Sequence, residues 1–340
     1  MPPTERRDLS RPLEELHPNE RLKYESRQLR GTIAQGLADP LTGAISDADT
    51  PLTKFFGMYQ QDDRDLRDER RRAKLEPRYQ FMVRLRLPGG LCTPQQWLAL
   101  DRLADENADG TLRLTSRQTF QFHGVLKRNL KRHIRGVVAA GLDTMGACGD
   151  GNRNVIATAN PLFSPIHAEV TALAKRISRH LLARTGAYRE VFLDEPPGAV
   201  VGEEEPLYGR TYLPRKFKVA IAIPPRNDVD VYAHDLGLIA IVEDGKIAGY
   251  DVLVGGGMGM THKIPATFPR LGDVVGFCQP DDVIAVCEQA LCIQRDYGDR
   301  KDRSHARFKY TIEDRGTEWF CEELAHRLGK PLEPARPFHL

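Results

Sequence analysis

Twelve consecutive residues, Leu112 to His123 (LRLTSRQTFQFH), alternate strictly enough to limit what this chain can fold into. Leu112, Leu114, Phe120 and Phe122 fall on one side with Ser116 and Gln118, while Arg113, Thr115, Arg117, Thr119, Gln121 and His123 fall on the other. Side chains alternate across a strand with a period of two, so the spacing predicts one half-buried β-strand over 112–123. Every side chain on the polar side donates or accepts hydrogen bonds, and none is acidic. Two readings stand at this point: the polar outer face of an antiparallel sheet, or a face built for an anion.

The surroundings favour the anion. From Gly110 to Leu142 no acidic residue occurs, yet Arg113, Arg117, Lys127, Arg128, Lys131, Arg132 and Arg135 do, and Pro206 to Asn227 repeats the pattern with Arg210, Arg215, Lys216, Lys218 and Arg226. The whole chain balances 49 Lys and Arg against 47 Asp and Glu, a net charge of +2 over 340 residues. The basic character is therefore local, which excludes a nucleic-acid coat protein and an acidic solvating tail. In LPRKFKVAI, Lys216 and Lys218 share a face opposite Phe217, Val219 and Ile221, and two amines about 7 Å apart along a strand suit one small dianion. Arg84 and Arg86 leave a strand at 79–87 together, and Arg153 sits in the Gly-flanked turn Asn152-Arg153-Asn154. Arginine there suits bidentate recognition of an oxyanion. A nucleic-acid platform interleaves aromatics with its cations, whereas Phe120, Phe122 and Phe217 lie on the core side, so no nucleic-acid partner is expected. Gly255, Gly256 and Gly257 follow a strand without dinucleotide-loop spacing, although such a run lets backbone approach a flat ligand. His123 is open between proton donor, hydrogen-bond partner and capped surface histidine.

The remaining pattern predicts a charged helix over 61–76 ended by Pro77, helices over 127–141, 165–185, 280–296 and 316–328, and one beginning at Pro94. Further strands are expected at 188–194, 216–223 and 238–254, the last around a hairpin at Glu243–Gly245. The acidic stretch 195–206 reads as an exposed loop. Strands alternating with helices indicate a mixed α/β or α+β protein, with a boundary near 145–150. Met1 to Glu20 lacks the apolar run of a signal peptide, and no stretch reaches the roughly 18 apolar residues of a membrane span, so a cytoplasmic chain with no membrane contact is expected. The six cysteines, Cys92, Cys148, Cys278, Cys287, Cys292 and Cys321, show no C-x2-C pair and read as free thiols with no metal site.

Long strings of this sequence resemble the sirohaem sulfite and nitrite reductase family, on the branch of NADPH-dependent sulfite reductase hemoprotein subunits. They are NERLKYESRQLRGTI (19–33), FFGMYQQDDRDLRDERRRAKLEPR (55–78), RLRLPGG (84–90), LRLTSRQTFQFHGVLK (112–127), GNRNV (151–155), TYLPRKFK (211–218), NDVDVYAHD (227–235) and LVGGG (253–257). The resemblance implies an N-terminal arm (1–75), a ferredoxin-like half-domain (76–145) and a sirohaem- and substrate-facing α/β domain (146–335). Residues 336–340 would start a second half. It implies six-electron reduction of sulfite to sulfide at sirohaem, with sulfite held by Arg84, Arg153, Lys216 and Lys218. Sirohaem would be held by Arg113, Thr115, Arg117, Thr119, Gln121, His123, Arg215, Gly255, Gly256 and Gly257. Electrons would come from NADPH through a flavoprotein alpha subunit carrying FAD and FMN. In that family the second half supplies the cysteines of a 4Fe-4S cluster; none of the cysteines here has that spacing, so a truncated chain is expected, completed by a separate cysteine-bearing half. The alternatives are a non-catalytic remnant that binds sirohaem or an anion, and a sirohaem nitrite reductase.

Overall fold

The computed structural model describes residues 11–196 and 205–340. Two sheets organise them. The first is antiparallel, from β1 (Met58–Asp62), β2 (Tyr79–Arg84), β3 (Arg113–Leu114) and β4 (Phe120–Val125), in the order β1-β2-β4-β3. The second runs β5 (Ile156–Ala157), β6 (Val219–Ala222), β7 (Leu236–Glu243), β8 (Lys246–Val254) and β9 (Asp273–Cys278) side by side. Its first three strands are parallel, and β7, β8 and β9 pair antiparallel. Seven helices of eight residues or more are found among the described residues: α1 (Pro18–Glu25), α2 (Pro94–Asn107), α3 (Leu130–Ala139), α4 (Pro165–His180), α5 (Val283–Tyr297), α6 (Phe308–Arg315) and α7 (Thr317–Leu328).

Local chemistry accounts for these elements. Thr93 caps α2 through a reciprocal box with Gln96, and Pro94 occupies the first turn, where its missing N–H costs nothing. Leu100, Leu103 and Ala104 then point inward from α2, and Leu130, Ile134 and Val137 do so from α3 at helical spacing. The two helices approach closely at Gly136, where a Cβ would meet Leu103 Cδ2 at 2.5 Å. The β7–β8 hairpin turns at Asp244 and Gly245, whose φ values of 50° and 75° are those of a tight two-residue connection.

Several expectations are corrected. Residues 112–123 are not one strand: the chain folds back at 115–118, where Thr115 N–H donates to Thr119 O at 3.0 Å and Gln118 adopts a φ of 51°. Arg113 thereby pairs across the ladder with Gln121, and Leu114 with Phe120. The polar side chains still share a side because cross-strand partners face the same way, while Leu114 is turned out to solvent at 78% exposure. Residues 188–194, expected as a strand, wind as a short π-helical turn over Arg189–Leu193. The charged helix shrinks to Arg67–Arg72 because residues 58–62 are claimed by β1. Most of the acidic loop 195–206 lies outside the described residues.

The described part of the arm, residues 11–75, packs against the rest of the chain. Leu29, Ile33, Leu52, Phe55, Phe56 and Met58 join the main apolar core, and β1 lies in the sheet upstream of residue 76. The reason is ionic as well as apolar. Glu20, on α1, is buried with Lys23 and Arg300; Lys23 Nζ donates to Glu20 at 2.6 Å and to Leu213 O at 2.7 Å, and Arg300 donates to Glu20, to Tyr212 O and to Arg295 O. Removing one partner of a buried ionic group leaves the others uncompensated, at a cost of about 3–5 kcal/mol. Glu20→Ala is therefore expected to lower stability by about that amount in a urea titration; a loss below about 1 kcal/mol, the range of an exposed pair, would show that the arm is not anchored here.

Candidate functional site

Loops from both sheets meet at one edge. In the five-stranded sheet, Arg153 and Asn154 immediately precede β5, Lys216 and Lys218 precede β6, and His234 and Asp235 precede β7. These three strands are parallel, so their entrances lie at the same end. Strand β8 runs the opposite way, which brings its exit at Gly255–Gly257 to that end too. From the first sheet come Arg84 at the end of β2 and the 115–118 turn.

Asn154 and Arg117 join the two sheets. Asn154 Nδ2 donates to Leu87 O at 2.9 Å and to Arg117 O at 2.8 Å, and its Oδ1 accepts from Leu87 N–H at 2.8 Å. Arg117 Nε donates to Asn154 O at 3.2 Å and Nη2 to Val219 O at 3.2 Å, while Nη1 lies 2.8 Å from His234 Nε2. The other ring nitrogen, Nδ1, lies 2.9 Å from Asp230 O and is assigned the proton, leaving Nε2 to accept from Arg117. Burial, then Arg117, pushes His234 down to about 3, so it is a neutral acceptor. Arg117 itself is pushed down to about 9, by burial first and then by Arg153.

Around this joint the cations crowd. Burial lowers the Lys216 amine to about 7, helped by Arg307, Arg153, Lys218 and Arg215. It lowers Lys218 to about 8, helped by Arg117, Arg307 and Arg153 against Asp235. Arg153 is buried, its Nε donating to Gly149 O at 3.1 Å and its Nη1 to Ala147 O at 3.4 Å. Arg84 Nη1 lies 3.3 Å from Cys148 Sγ. With the Gln121 amide oriented so that its oxygen faces Arg84, it accepts from Arg84 Nε at 2.9 Å and donates to His123 Nε2 at 3.1 Å. His123 is lowered by burial and then by Arg113.

The acid-free segments do not stay acid-free in three dimensions. Asp150 accepts a two-pronged contact from Arg303 at 2.8 Å on each oxygen and lies 3.7 Å from Lys23 and 3.9 Å from Arg215. Burial pushes its carboxyl upward, but Lys23 and Arg303 outweigh that and hold it below the usual range. Asp235, fully buried, accepts from Arg307 at 3.0 and 3.1 Å.

The four residues expected to hold an oxyanion come from three segments, Lys216 and Lys218 from one, and each acts electrostatically within the cluster around Arg117. Arg153 lowers both lysines, and Arg153 and Arg84 together lower Arg117. The second set divides. Gln121, His123 and Arg215 border the cluster, while Arg113 is half-exposed at the rim, 3.5 Å from Asp109. Thr119 is buried with its hydroxyl donating to Leu85 O at 2.7 Å, and Thr115 Oγ1 accepts from Arg117 N–H at 3.2 Å. At Gly256 the close neighbour is the chain itself, since a Cβ would meet Tyr232 O at 2.1 Å; at Gly257 it would meet Arg307 Nη2 at 3.1 Å. Arg307, Arg303, Asp150, Asp235 and His234 are the residues sequence reasoning missed. Asp150 stood beside the Asn-Arg-Asn turn and Asp235 and His234 in NDVDVYAHD, but no periodicity marked them. All six cysteines are free thiols, and no group of three His, Cys, Asp or Glu side chains suited to a metal ion occurs among the described residues. No helix among them is long and apolar enough to cross a membrane.

Known proteins match this chain along nearly its whole length. Residues 73–139 match the nitrite/sulfite reductase ferredoxin-like half domain, and residues 173–332 match the nitrite and sulphite reductase 4Fe-4S domain. The sulfite reductase [NADPH] hemoprotein beta-component of Chromohalobacter salexigens is 60% identical over 98% of this chain, and that of Geobacillus kaustophilus 57% identical over 94%. The chain spans 59% and 56% of the length of those two proteins. The solved structure of the Mycobacterium tuberculosis NirA protein superposes with a TM-score of 0.70 at 26% identity, covering 95% of this chain and 55% of that one. With both matched domains in order and this identity sustained along nearly its whole length, the chain belongs to the nitrite and sulfite reductase family.

Proposed function

We propose that this chain forms the substrate- and sirohaem-facing part of a sulfite reductase hemoprotein, with sulfite held by Arg84, Arg153, Lys216 and Lys218. The observation that carries the proposal is the pair of partly buried lysine amines, lowered to about 7 and about 8 by burial and by neighbouring arginines, because crowded cations of this kind are tolerated where an anion completes them.

The residues fit a macrocycle edged with carboxylates. Arg113, Gln121, His123 and Arg215 border the cluster with donors, Thr115, Arg117 and Thr119 hold the turn that forms its wall, and Gly255, Gly256 and Gly257 keep the opposite backbone free of side chains. When bound, sirohaem supplies the iron at which sulfite is reduced by six electrons. The chain's own part is electrostatic and acid–base. Arg84 and Arg153 offer planar guanidinium donors that orient the oxyanion. Lys216 and Lys218, titrating near neutrality, take up a proton at Nζ when an anion arrives and can release it as oxygen leaves sulfur. The residues do not fit an iron–sulfur cluster. Burial holds the Cys278 thiol up at about 12 and raises Cys287, Cys292, Cys92 and Cys321 as well, whereas a cluster needs several converging thiolates. Electron supply is therefore assigned outside these 340 residues: a cysteine-bearing segment for the cluster, and a flavoprotein alpha subunit that passes electrons from NADPH through FAD and FMN.

Three outcomes test this. Sulfate, whose charge is constant over the range, should bind residues 1–340 more weakly as pH rises from 6 to 9. Both amines lose a proton in that window, so the affinity should fall by roughly tenfold or more; calorimetry showing a flat profile would sink the lysine assignment. Lys218→Ala should weaken sulfite binding by about 10- to 100-fold, the worth of one charge-assisted contact, while leaving sirohaem uptake closer to normal; equal losses would show a purely structural lysine. The purified chain reconstituted with iron and sulfide should develop no iron–sulfur absorption, and a stable band near that of a bound cluster would overturn the reading of its cysteines.

A further inference from the structure

Lys309 has no part in the site described above, yet it is fully buried. It lies in the first turn of α6, where the helix dipole disfavours a cation, so helix preference does not explain it. Its Nζ is instead surrounded by main-chain oxygens, donating to Gly257 O at 3.0 Å, to Gly259 O at 2.7 Å and to Phe268 O. The first two lie on the entry limb of a loop and the third on its exit limb. Between them residues 258–266 are all exposed, Met258 and Met260 by 54% and 62%. The adjoining Tyr310 hydroxyl accepts from Phe268 N–H at 3.2 Å, so two consecutive residues clamp both polar groups of Phe268. Inside the loop, Thr267 Oγ1 accepts from Thr261 N–H at 2.7 Å and donates to Ile264 O at 2.8 Å. This is a compact surface loop closed at its base by one ammonium group.

The base of the loop is also a wall of the anion cluster. Gly257 N–H donates to Arg270 O at 2.7 Å, and Gly257 O accepts from Arg270 N–H at 3.0 Å. A Cβ on Gly257 would meet Arg307 Nη2 at 3.1 Å and Lys309 Cδ at 3.3 Å, and the same Arg307 Nη2 donates to Asp235 at 3.0 and 3.1 Å within the cluster. We infer that Lys309 is a positioning residue: by tying the two limbs of the 257–268 loop together it fixes Gly257 against Arg307, and through Arg307 sets the geometry of the anion cluster without touching the ligand. The inference rests on the anion-site reading for its functional half and on the loop contacts alone for its structural half.

The two halves separate in one experiment on the full 340-residue chain. Tryptic cleavage at Lys263, exposed in the loop, should be slow in the parent, at least tenfold faster in Lys309→Met, which has no donor, and intermediate in Lys309→Gln, which donates without charge. Sulfate affinity measured on the same samples should fall at least fivefold in Lys309→Met and recover in part in Lys309→Gln. Unchanged cleavage overturns the tether. Faster cleavage with unchanged sulfate affinity overturns the positioning role. Failure of the parent to bind sulfate overturns the anion-site reading instead, and cleavage alone then decides the tether. Hydrogen exchange on the parent guards against variants that do not fold: the amides of Gly257, Thr267 and Phe268 should be protected while those of exposed, unbonded loop positions exchange freely, and rapid exchange at all of them overturns the inference.

Discussion

Packing like charges out of water is the constraint on which this structure turns. Arg117, Arg153, Arg215, Lys216, Lys218 and Arg307 are brought together where each loses solvent, and a buried charge is costly unless it is paired or hydrogen-bonded. Asp150 and Asp235 supply two pairs, and the carbonyls of Ala147, Gly149, Asn154 and Val219 take much of the remaining donor capacity. The lysines respond in the other available way, by titrating closer to neutrality. The cluster is thus held by its own chain, with two amines close to the point at which they change charge.

The same carboxylate extends the constraint outward. Asp150 touches Lys23, which is locked to Glu20, which in turn holds Arg300. A continuous buried ionic path runs from the N-terminal helix to the loops that follow α5 and into the cluster. This is why residues 11–75 are part of the packed body: their ordering is tied to the neutralisation of the site. Polar networks of this kind are stabilising only when every member is satisfied, so a change in α1 is felt at Arg215 through intervening charges.

Much of the architecture was legible. The hairpin at 243–245, the capped helix from Pro94 and the helical stripes of α2 and α3 follow from local periodicity and turn chemistry, which act over a few residues. The alternation at 112–123 correctly gathered Arg113, Gln121 and His123 on one side, but for a different reason from the one it suggested. The turn at 115–118 puts residues opposite each other across a ladder, and a single strand and a hairpin of even register leave many of the same side chains on the same face. Leu114 shows the difference: it shares a face with its partner Phe120, but the hairpin places it on the short edge strand β3, where it is exposed.

The sequence by itself determined the local elements and the segregation of cations into acid-free stretches of a chain with near-zero net charge, the pattern from which an anion is proposed as ligand. Only the tertiary structure decided which cations share a site, and that Asp150, Asp235 and His234 stand among them. The reason is that Arg153, Lys216 and Asp235 precede three parallel strands separated by long crossovers, and strand order and direction, which bring their entrances to one edge, are set by burial across the whole sheet. Burial also sets the protonation of the lysines, a property that no spacing of residues carries.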